Sequence, residues 1–318
     1  MERKPDPLAL EIERAALACG FDSCGILPLE MLGDYEERLQ ERMEKVPSSA
    51  GFYKSFVGAS LAKRRFPWAQ SAVVCAYFYG RYRYPKELQG RYAKAYFLEP
   101  EPGSAQGYDL DRFEAWFRER DIRCEGGRQF GNDSVFPLRH GAMKAGLGII
   151  RKNNFFYTER GSYTTLVGYV IDKSCTLLHR SNLRPCPPSC TLCQRACKTK
   201  SLSAPYTMDP GKCVSFWTTF GKGDIPKGLT EEMFEEWLIG CDNCQDICPY
   251  NRHNWNEGEP FSNLEELAPF LTPEKVPNLS DETIRQEVIP KTAKHLQPED
   301  GPDILRKNAR RALHMGRS

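Results

Sequence analysis

Eight of the thirteen cysteines in this chain crowd into one stretch, at spacings that suit metal chemistry. The first group reads Cys186-Pro-Pro-Ser-Cys190-Thr-Leu-Cys193-Gln-Arg-Ala-Cys197. The second reads Cys241-Asp-Asn-Cys244-Gln-Asp-Ile-Cys248-Pro249, with Cys213 upstream. Bacterial two-cluster ferredoxins carry the run C-x2-C-x2-C-x3-C-P, in which the fourth cysteine binds the other cluster. The spacing therefore predicts two [4Fe–4S] clusters.

The same rule divides the eight thiolates into two sets of four. Three thiolates on a tight loop can cover one face of a cubane, and the fourth points away to the second cluster. The predicted ligands of cluster one are Cys186, Cys190, Cys193 and Cys248, and those of cluster two are Cys197, Cys213, Cys241 and Cys244. The first group departs from the ferredoxin pattern in two ways. Three residues separate its first two cysteines, which demands a wider loop, and Lys198 stands where proline is usual.

The alternative is a pair of zinc sites with four cysteines each. Zinc prefers two separated C-x2-C pairs around a tetrahedral ion. Here each compact run adds a C-x3-C step, and one run ends in Cys248-Pro249, which favours iron–sulfur clusters. The brown colour of such clusters would distinguish the two. Cys75 lies within an apolar strand pattern and is expected to be a small buried residue rather than a ligand.

Composition limits the function classes. The chain has 318 residues, of which 40% are hydrophobic and 27% charged, so about two packed domains are expected. A net charge of +2 excludes a strongly basic nucleic-acid arm as the main feature. No apolar run approaches the roughly 20 residues of a membrane span, and no signal peptide is expected. A cytoplasmic, membrane-free protein with reduced thiols follows as the expectation.

The spacing of apolar residues along the chain predicts its helices and strands. Helices are expected over 8–19, 29–45, 108–120, 133–148 and 304–314, and strands over 21–27, 72–79, 153–157 and 162–171. The expected class is α+β, with an N-terminal α/β domain and a C-terminal ferredoxin-like double-cluster domain. The change in cysteine usage suggests domains at 1–175 and 176–262, with a helical tail at 263–318.

Several motifs in the chain resemble the epoxyqueuosine reductases, which are cobalamin-dependent iron–sulfur enzymes of tRNA modification. The similar motifs are Gly20–Gly25, Ala145–Gly148 with Lys152-Asn153 and Gly161-Ser162, Ala204–Asp209 leading to Cys213, and Gly240–Asn251. Leu305–Leu313 resembles the start of the family's C-terminal helical region, as expected of a divergent, C-terminally short member. The resemblance implies a nitroreductase-like N-terminal domain that binds a corrinoid between itself and the near cluster.

The resemblance also implies the cofactor-binding residues and the reaction. The residues that match the family's corrinoid-side motifs are Arg139, Gly146, Gly148, Lys152, Asn153 and Ser162. An exposed turn between helix and strand is the simpler explanation for several of them. Gly146-Leu-Gly148 is too short for a dinucleotide fingerprint. The family's substrate is the epoxide of epoxyqueuosine in tRNA, which is reduced to the alkene of queuosine with loss of water.

Breaking that C–O bond needs a proton donor, and here the chain departs from the family. Asn132 stands at the family's acid position, and an amide cannot deliver a proton at neutral pH. Asp133 could take the role after a shift of one residue, or it could simply cap the following helix. His140 is an alternative donor near pH 7. Asp133 and His140 are therefore the candidate catalytic residues.

Three functions remain open from the sequence. The first is a reductase of epoxyqueuosine in tRNA, the second a corrinoid-dependent reductase of another substrate, resembling a dehalogenase, and the third an electron carrier that reactivates another corrinoid protein. Basic residues in the tail could touch tRNA phosphates, although a solvated helix face is the commoner explanation of such a run: Arg306, Lys307, Arg310 and Arg311. An external low-potential electron donor is required, and a monomer is expected.

Overall fold

The computed structural model describes residues 6–57, 62–98, 106–127, 134–253, 255–262, 264–292 and 299–315. The chain divides into two compact units. The first comprises Met1–Phe78 and Pro100–Pro188, and the second comprises Tyr79–Glu99 and Ser189–Ser318. The second unit thus includes a stretch from the N-terminal half, which cysteine usage does not signal. The domain boundaries at 175 and 262 stay predictions.

The first unit combines short helices with two antiparallel sheets. Its helices are α1 (Pro7–Ala18), α2 (Tyr35–Lys45), α3 (Ala50–Lys54), α4 (Ala62–Arg65), α5 (Leu110–Arg118) and α6 (Leu138–Lys144), with 3₁₀ turns at Leu29–Leu32 and Pro47–Ser49. Its strands are β1 (Ser23–Pro28), β2 (Ser71–Phe78), β3 (Cys124–Gly127), β4 (Ile149–Ile150), β5 (Phe156–Tyr157) and β6 (Thr164–Ile171). The mixed helix-and-strand class is as predicted.

A four-stranded sheet in the order β1-β2-β6-β3 forms the centre of this unit, and β4 pairs with β5 separately. All pairs are antiparallel, with Cys24 opposite Cys75 and Cys75 opposite Val167. Every residue of β2 is buried, which explains its continuous apolar run. Cys75 is fully buried, as expected of a small core residue.

Helix α1 covers one part of this sheet by packing against β1. Its first turn is capped by the Asp6 carboxylate, which accepts a hydrogen bond from the Leu8 backbone N–H at 2.9 Å. Pro7 suits the first helical position because no N–H is needed there. Gly20 follows the helix at φ +94°, a conformation that favours glycine, so the predicted helix end is observed.

Helix α6 is shorter than the predicted helix over 133–148. Proline disfavours helical geometry at the preceding residue, and α6 begins directly after Pro137. The helix ends before Gly146, which adopts φ +78°. The strand predicted over 153–157 likewise shrinks to β5, because residues 151–155 form the turn that joins β4 to β5.

The second unit consists mainly of short helices and turns. Its helices are α7 (Leu192–Ala196), α8 (Val214–Thr218), α9 (Asn243–Asp246), α10 (Leu264–Leu267), α11 (Asp281–Thr283), α12 (Ile289–Thr292) and α13 (Gly301–Met315), with a π-helical turn at Ile284–Val288. Its 3₁₀ turns are Tyr79–Arg81, Lys86–Leu88, Lys94–Tyr96, Pro210–Lys212, Glu231–Phe234, Pro249–Asn251, Ala268–Phe270 and Val276–Asn278. Ala93, Val214, Phe234 and Trp237 form its apolar core.

Candidate functional site

Four of the predicted cluster ligands lie close together in the second unit. Burial raises the pKa of the Cys241 and Cys244 thiols well above their usual range, and the nearby Cys213 raises both further. Burial also raises the pKa of Cys213, with a smaller contribution from Cys197. The four thiols therefore lie near one another, and Cys193 of the other predicted set also acts on Cys244. Iron binds thiolates, so cluster assembly here would release protons.

Two short helices each carry one predicted ligand, one from each set. Helix α7 bears Cys193 and α9 bears Cys244, and the two helices pack against each other. All thirteen cysteines are free thiols, so none is lost to a disulfide. No three His, Cys, Asp or Glu side chains in the described residues are arranged to hold a single metal ion. A cubane separates its thiolates more widely, because each binds a different iron atom.

A buried lysine from the early stretch of the second unit supports the second cysteine loop. The Lys94 ammonium donates to Asp242 Oδ2 at 3.2 Å and to Asp246 Oδ1 at 2.7 Å, and it lies 4.8 Å from the Trp255 ring centroid. Gln245 Nε2 donates to Asp242 Oδ1 at 3.0 Å. Burial alone would lower the pKa of Lys94, but the two carboxylates hold it above its ordinary value. Sequence reasoning missed this lysine because its partners are about 150 residues away.

Cys186 belongs to the first unit and has two cationic neighbours there. Arg151 Nη1 lies 3.8 Å from Cys186 Sγ. Lys152 Nζ donates to the carbonyl oxygens of Pro187 and Pro188 at 2.8 and 2.7 Å. The sequence assigned Lys152 to the corrinoid, whereas its described contacts are to the residues that follow Cys186.

The two glycines assigned to the corrinoid are both explained by close backbone packing. A Cβ on Gly146 would lie 1.9 Å from the His179 carbonyl oxygen, and one on Gly148 would lie 2.1 Å from the Tyr157 carbonyl oxygen. Such distances exclude any side chain without a backbone shift. Their role toward a cofactor stays a prediction.

Polar groups gather at the turn between β4 and β5. The exposed Arg139 guanidinium donates to the Asn154 carbonyl oxygen, and Asn153 Nδ2 donates to the Tyr157 hydroxyl at 2.8 Å. The Asn154 side-chain oxygen is buried and has no hydrogen-bond partner among the described residues. A buried, unmatched acceptor is costly and fits a ligand that donates N–H groups, as the side-chain amides of a corrinoid do. Ser162 is buried near the start of β6.

His140 is held in a charged network rather than standing alone. Its Nε2 lies 2.8 Å from Asp34 Oδ1, and Lys144 Nζ donates to Asp34 Oδ2 at 2.8 Å. Burial lowers the pKa of His140 despite the neighbouring carboxylate. For Asp34, burial acts to raise the pKa, but the hydrogen bonds from Lys144 and His140 outweigh it and lower the value. Asn132 and Asp133 lie outside the described residues.

The basic tail residues are largely engaged within the second unit. Arg306 pairs with Asp281 at 2.6 Å, and Lys307 pairs with Asp224. Arg311 is 5% exposed and donates to Asn308 Oδ1 at 3.2 Å. A solvated helix face therefore accounts for only some of these basic residues, because others form ion pairs and hydrogen bonds within the second unit.

No helix in the part of the chain that the structure describes is long and apolar enough to cross a bilayer.

Residues 186–251 match the family described as a 4Fe-4S double cluster binding domain.

Known proteins resemble the chain over most of its length. An epoxyqueuosine reductase from Leadbetterella byssophila is 30% identical over 80% of this chain and 84% of its own length. A solved epoxyqueuosine reductase from Bacillus subtilis, with its catalytic loop swung out of the active site, has a TM-score of 0.73 at 22% identity. Another, solved with an epoxyqueuosine-modified tRNA stem loop, has a TM-score of 0.72 at 21% identity. Both structural matches cover 97% of this chain and 81% of the other. The chain belongs to the epoxyqueuosine reductase family.

Proposed function

We propose that this chain reduces epoxyqueuosine in tRNA to queuosine, using two [4Fe–4S] clusters and a corrinoid. The observation that carries the proposal is the match of residues 186–251, which hold all eight predicted ligands, to a 4Fe-4S double cluster binding domain in a chain of this family. The reaction takes up two electrons and two protons, breaks the epoxide C–O bonds, forms an alkene and releases water. The family relationship favours this function over a dehalogenase-like reductase or an electron carrier.

The clusters deliver electrons singly from an external low-potential donor. The proposed ligands remain those of the spacing rule, with Cys186, Cys190, Cys193 and Cys248 for cluster one. The effects of Cys213 on the pKa of both Cys241 and Cys244 support the placement of these three thiols in one cluster. The protein's part is to shield these ligands from water and to hold the loops that present them.

A corrinoid is the second proposed cofactor. When bound, it supplies cobalt chemistry that can reduce a carbon–oxygen bond. The Asn154 side-chain oxygen and the Arg139 guanidinium are the described groups that suit its peripheral amides. Asn153 and Ser162 remain proposed contacts by family resemblance.

The proton donor is proposed to be Asp133, with His140 as the alternative. The Nε2 atom of His140 faces Asp34, which supports a positioning role for the histidine more than direct delivery to substrate. An acid donor must reach the reacting oxygen within hydrogen-bond distance. Asp133→Ala is expected to abolish turnover and to spare cofactor binding.

The test is anaerobic reconstitution of the full chain with iron, sulfide and cobalamin, followed by reduction and incubation with a tRNA stem loop that carries epoxyqueuosine. Mass spectrometry of the digested nucleosides should show loss of one oxygen atom. Cys213→Ala should lose cluster two and turnover together. The proposal fails if cobalt and both clusters cycle while the modified tRNA is recovered unchanged.

A further inference from the structure

Two buried cationic side chains donate hydrogen bonds to the segment in which the cluster motif begins. Arg151 and Lys152 are 1% and 8% exposed, and both follow strand β4. Arg151 Nη1 donates toward Cys186 Sγ at 3.8 Å, and Lys152 Nζ donates to the next two carbonyl oxygens. Within the first unit, these two side chains therefore hold both the thiol and the backbone of the same segment.

The lysine contacts fall where the cysteine spacing departs from the ferredoxin pattern. Cys186 and Cys190 are separated by three residues, Pro187, Pro188 and Ser189, instead of two. An ammonium has three donors, and Lys152 gives two of them to the two proline carbonyls. Lys152 thus fixes the wider loop that the extra residue creates.

Arg151 is positioned by its backbone and by one aromatic ring. Its backbone N–H donates to the Phe155 carbonyl at 3.0 Å, and its own carbonyl accepts from the Asn154 N–H at 2.8 Å. Its guanidinium lies 5.1 Å from the Tyr157 ring centroid. The tight turn and the aromatic ring together direct the guanidinium, so its approach to Cys186 follows from the fold.

We infer that Arg151 raises the reduction potential of the cluster that Cys186 holds and that Lys152 positions the Cys186 loop. The inference rests on the proposed ligand set. A guanidinium keeps its positive charge, and each electron added makes a thiolate-bound cluster more negative. Hydrogen bonds and charge near the sulfur atoms set the potentials of such clusters. The cation therefore stabilises the reduced state of cluster one more than its oxidised state.

The test is a redox titration of the reconstituted full chain, followed by electron paramagnetic resonance of both clusters. In Arg151→Gln, the reduced-to-oxidised ratio of one cluster at a fixed potential should fall about tenfold, which corresponds to about 59 mV for a one-electron couple. The matched control is Arg160→Gln, because the Arg160 side chain is 53% exposed and pairs with Asp22. The control should leave both potentials unchanged.

Cys186→Ala identifies which cluster is affected. It should remove one cluster and about half the iron, and the cluster lost should be the one whose potential Arg151→Gln lowers. If both clusters survive in Cys186→Ala, the ligand set and the inference fail together. If one cluster is lost but Arg151→Gln leaves both potentials unchanged, the inference alone is overturned. Should Arg151→Gln fail to assemble, Arg151→Met, which also removes the charge, is measured in the same way, and an unchanged potential there also overturns it.

Discussion

Buried cations contact the segments around both groups of cysteines. Lys94 and Asp242 are 3% and 2% exposed, and their ion pair is completed by a hydrogen bond from the Lys94 backbone N–H to Asp242 Oδ2 at 2.8 Å. A buried ion pair adds little net stability over an apolar pair, but removal of one partner leaves an uncompensated charge. Asp242 lies directly after Cys241, so an uncompensated Asp242 carboxylate would disturb the loop that carries this predicted ligand.

Lys94→Met should therefore destabilise the chain by about 3–5 kcal/mol, because the Asp242 carboxylate would remain buried without its partner. We expect a lower urea midpoint and a loss of iron from cluster two first. Arg91→Met is the matched control on the same stretch. The pair between Arg91 and Glu236 is partly exposed, at 28% and 47%, and such pairs contribute about 0–1 kcal/mol. Equal effects of the two substitutions would contradict the prediction.

The His140 network makes a prediction about pH. Burial lowers the pKa of His140 in the folded chain below the ordinary value of about 6.5, so the unfolded chain binds more protons just below that pH. The free energy of unfolding should therefore fall as the pH drops through about 6.5 toward the lowered value. Asp34, whose pKa is lowered, stays ionised in this range and does not oppose the trend.

Urea unfolding of His140→Gln across this pH range should show a flatter dependence than the parent chain. His314→Gln is the control, because the His314 side chain is 74% exposed. If the parent and His140→Gln lose stability in parallel on acidification, other groups dominate and the prediction is wrong.

Helix α13 is anchored by one buried amide. Asn308 is fully buried on this helix, and its Nδ2 donates to the carbonyl oxygens of Thr218 at 3.0 Å and Leu238 at 2.7 Å. These two carbonyls belong to the ends of segments that surround the apolar core of the second unit. The helix that carries the basic residues is therefore also fixed to the second unit by the buried Asn308.

Asn308→Ala should destabilise the chain by about 1–3 kcal/mol, because two buried carbonyl oxygens lose their donor. Thermal unfolding of the reconstituted protein would measure this as a lower midpoint. Arg310→Ala, at an exposed position on the same helix, should stay within about 0.5 kcal/mol of the parent. A similar loss in both variants would show that the amide contacts do not account for it.

Local patterns could be predicted from the sequence, and distant pairings could not. Strands β2 and β6 follow from apolar runs, because this signal lies within short stretches. The division of the eight thiols between two clusters stays a prediction. Strand β3 has the sequence Cys124-Glu-Gly-Gly127, which shows no apolar alternation, and its pairing with β6 is a tertiary effect. The contact of Asp34 with His140 spans 106 residues and leaves no local signal.

At the scale of the whole molecule, the residues that match the double-cluster family differ from those of the compact unit in which most of them lie. The family match covers residues 186–251, whereas the second unit adds Tyr79–Glu99 and the chain through the C-terminal helix. Ala93 belongs to the apolar core of this unit, and its N–H donates to the Ile239 carbonyl at 2.8 Å. Tyr92 Oη donates to the Leu271 carbonyl at 2.8 Å. The early stretch is thus part of the framework that holds the cysteine loops.

A fragment limited to residues 189–318 should therefore fail to form a stable unit, because it lacks Ala93 and the Lys94 ammonium that neutralises Asp242. We expect rapid proteolysis and poor iron uptake at cluster two, whose four predicted ligands it retains. Fusion of residues 79–99 to its N-terminus through a flexible linker should restore protease resistance and iron binding. The same fusion with Lys94→Met should restore much less. Full iron uptake by the unfused fragment would show that the early stretch is dispensable for cluster two.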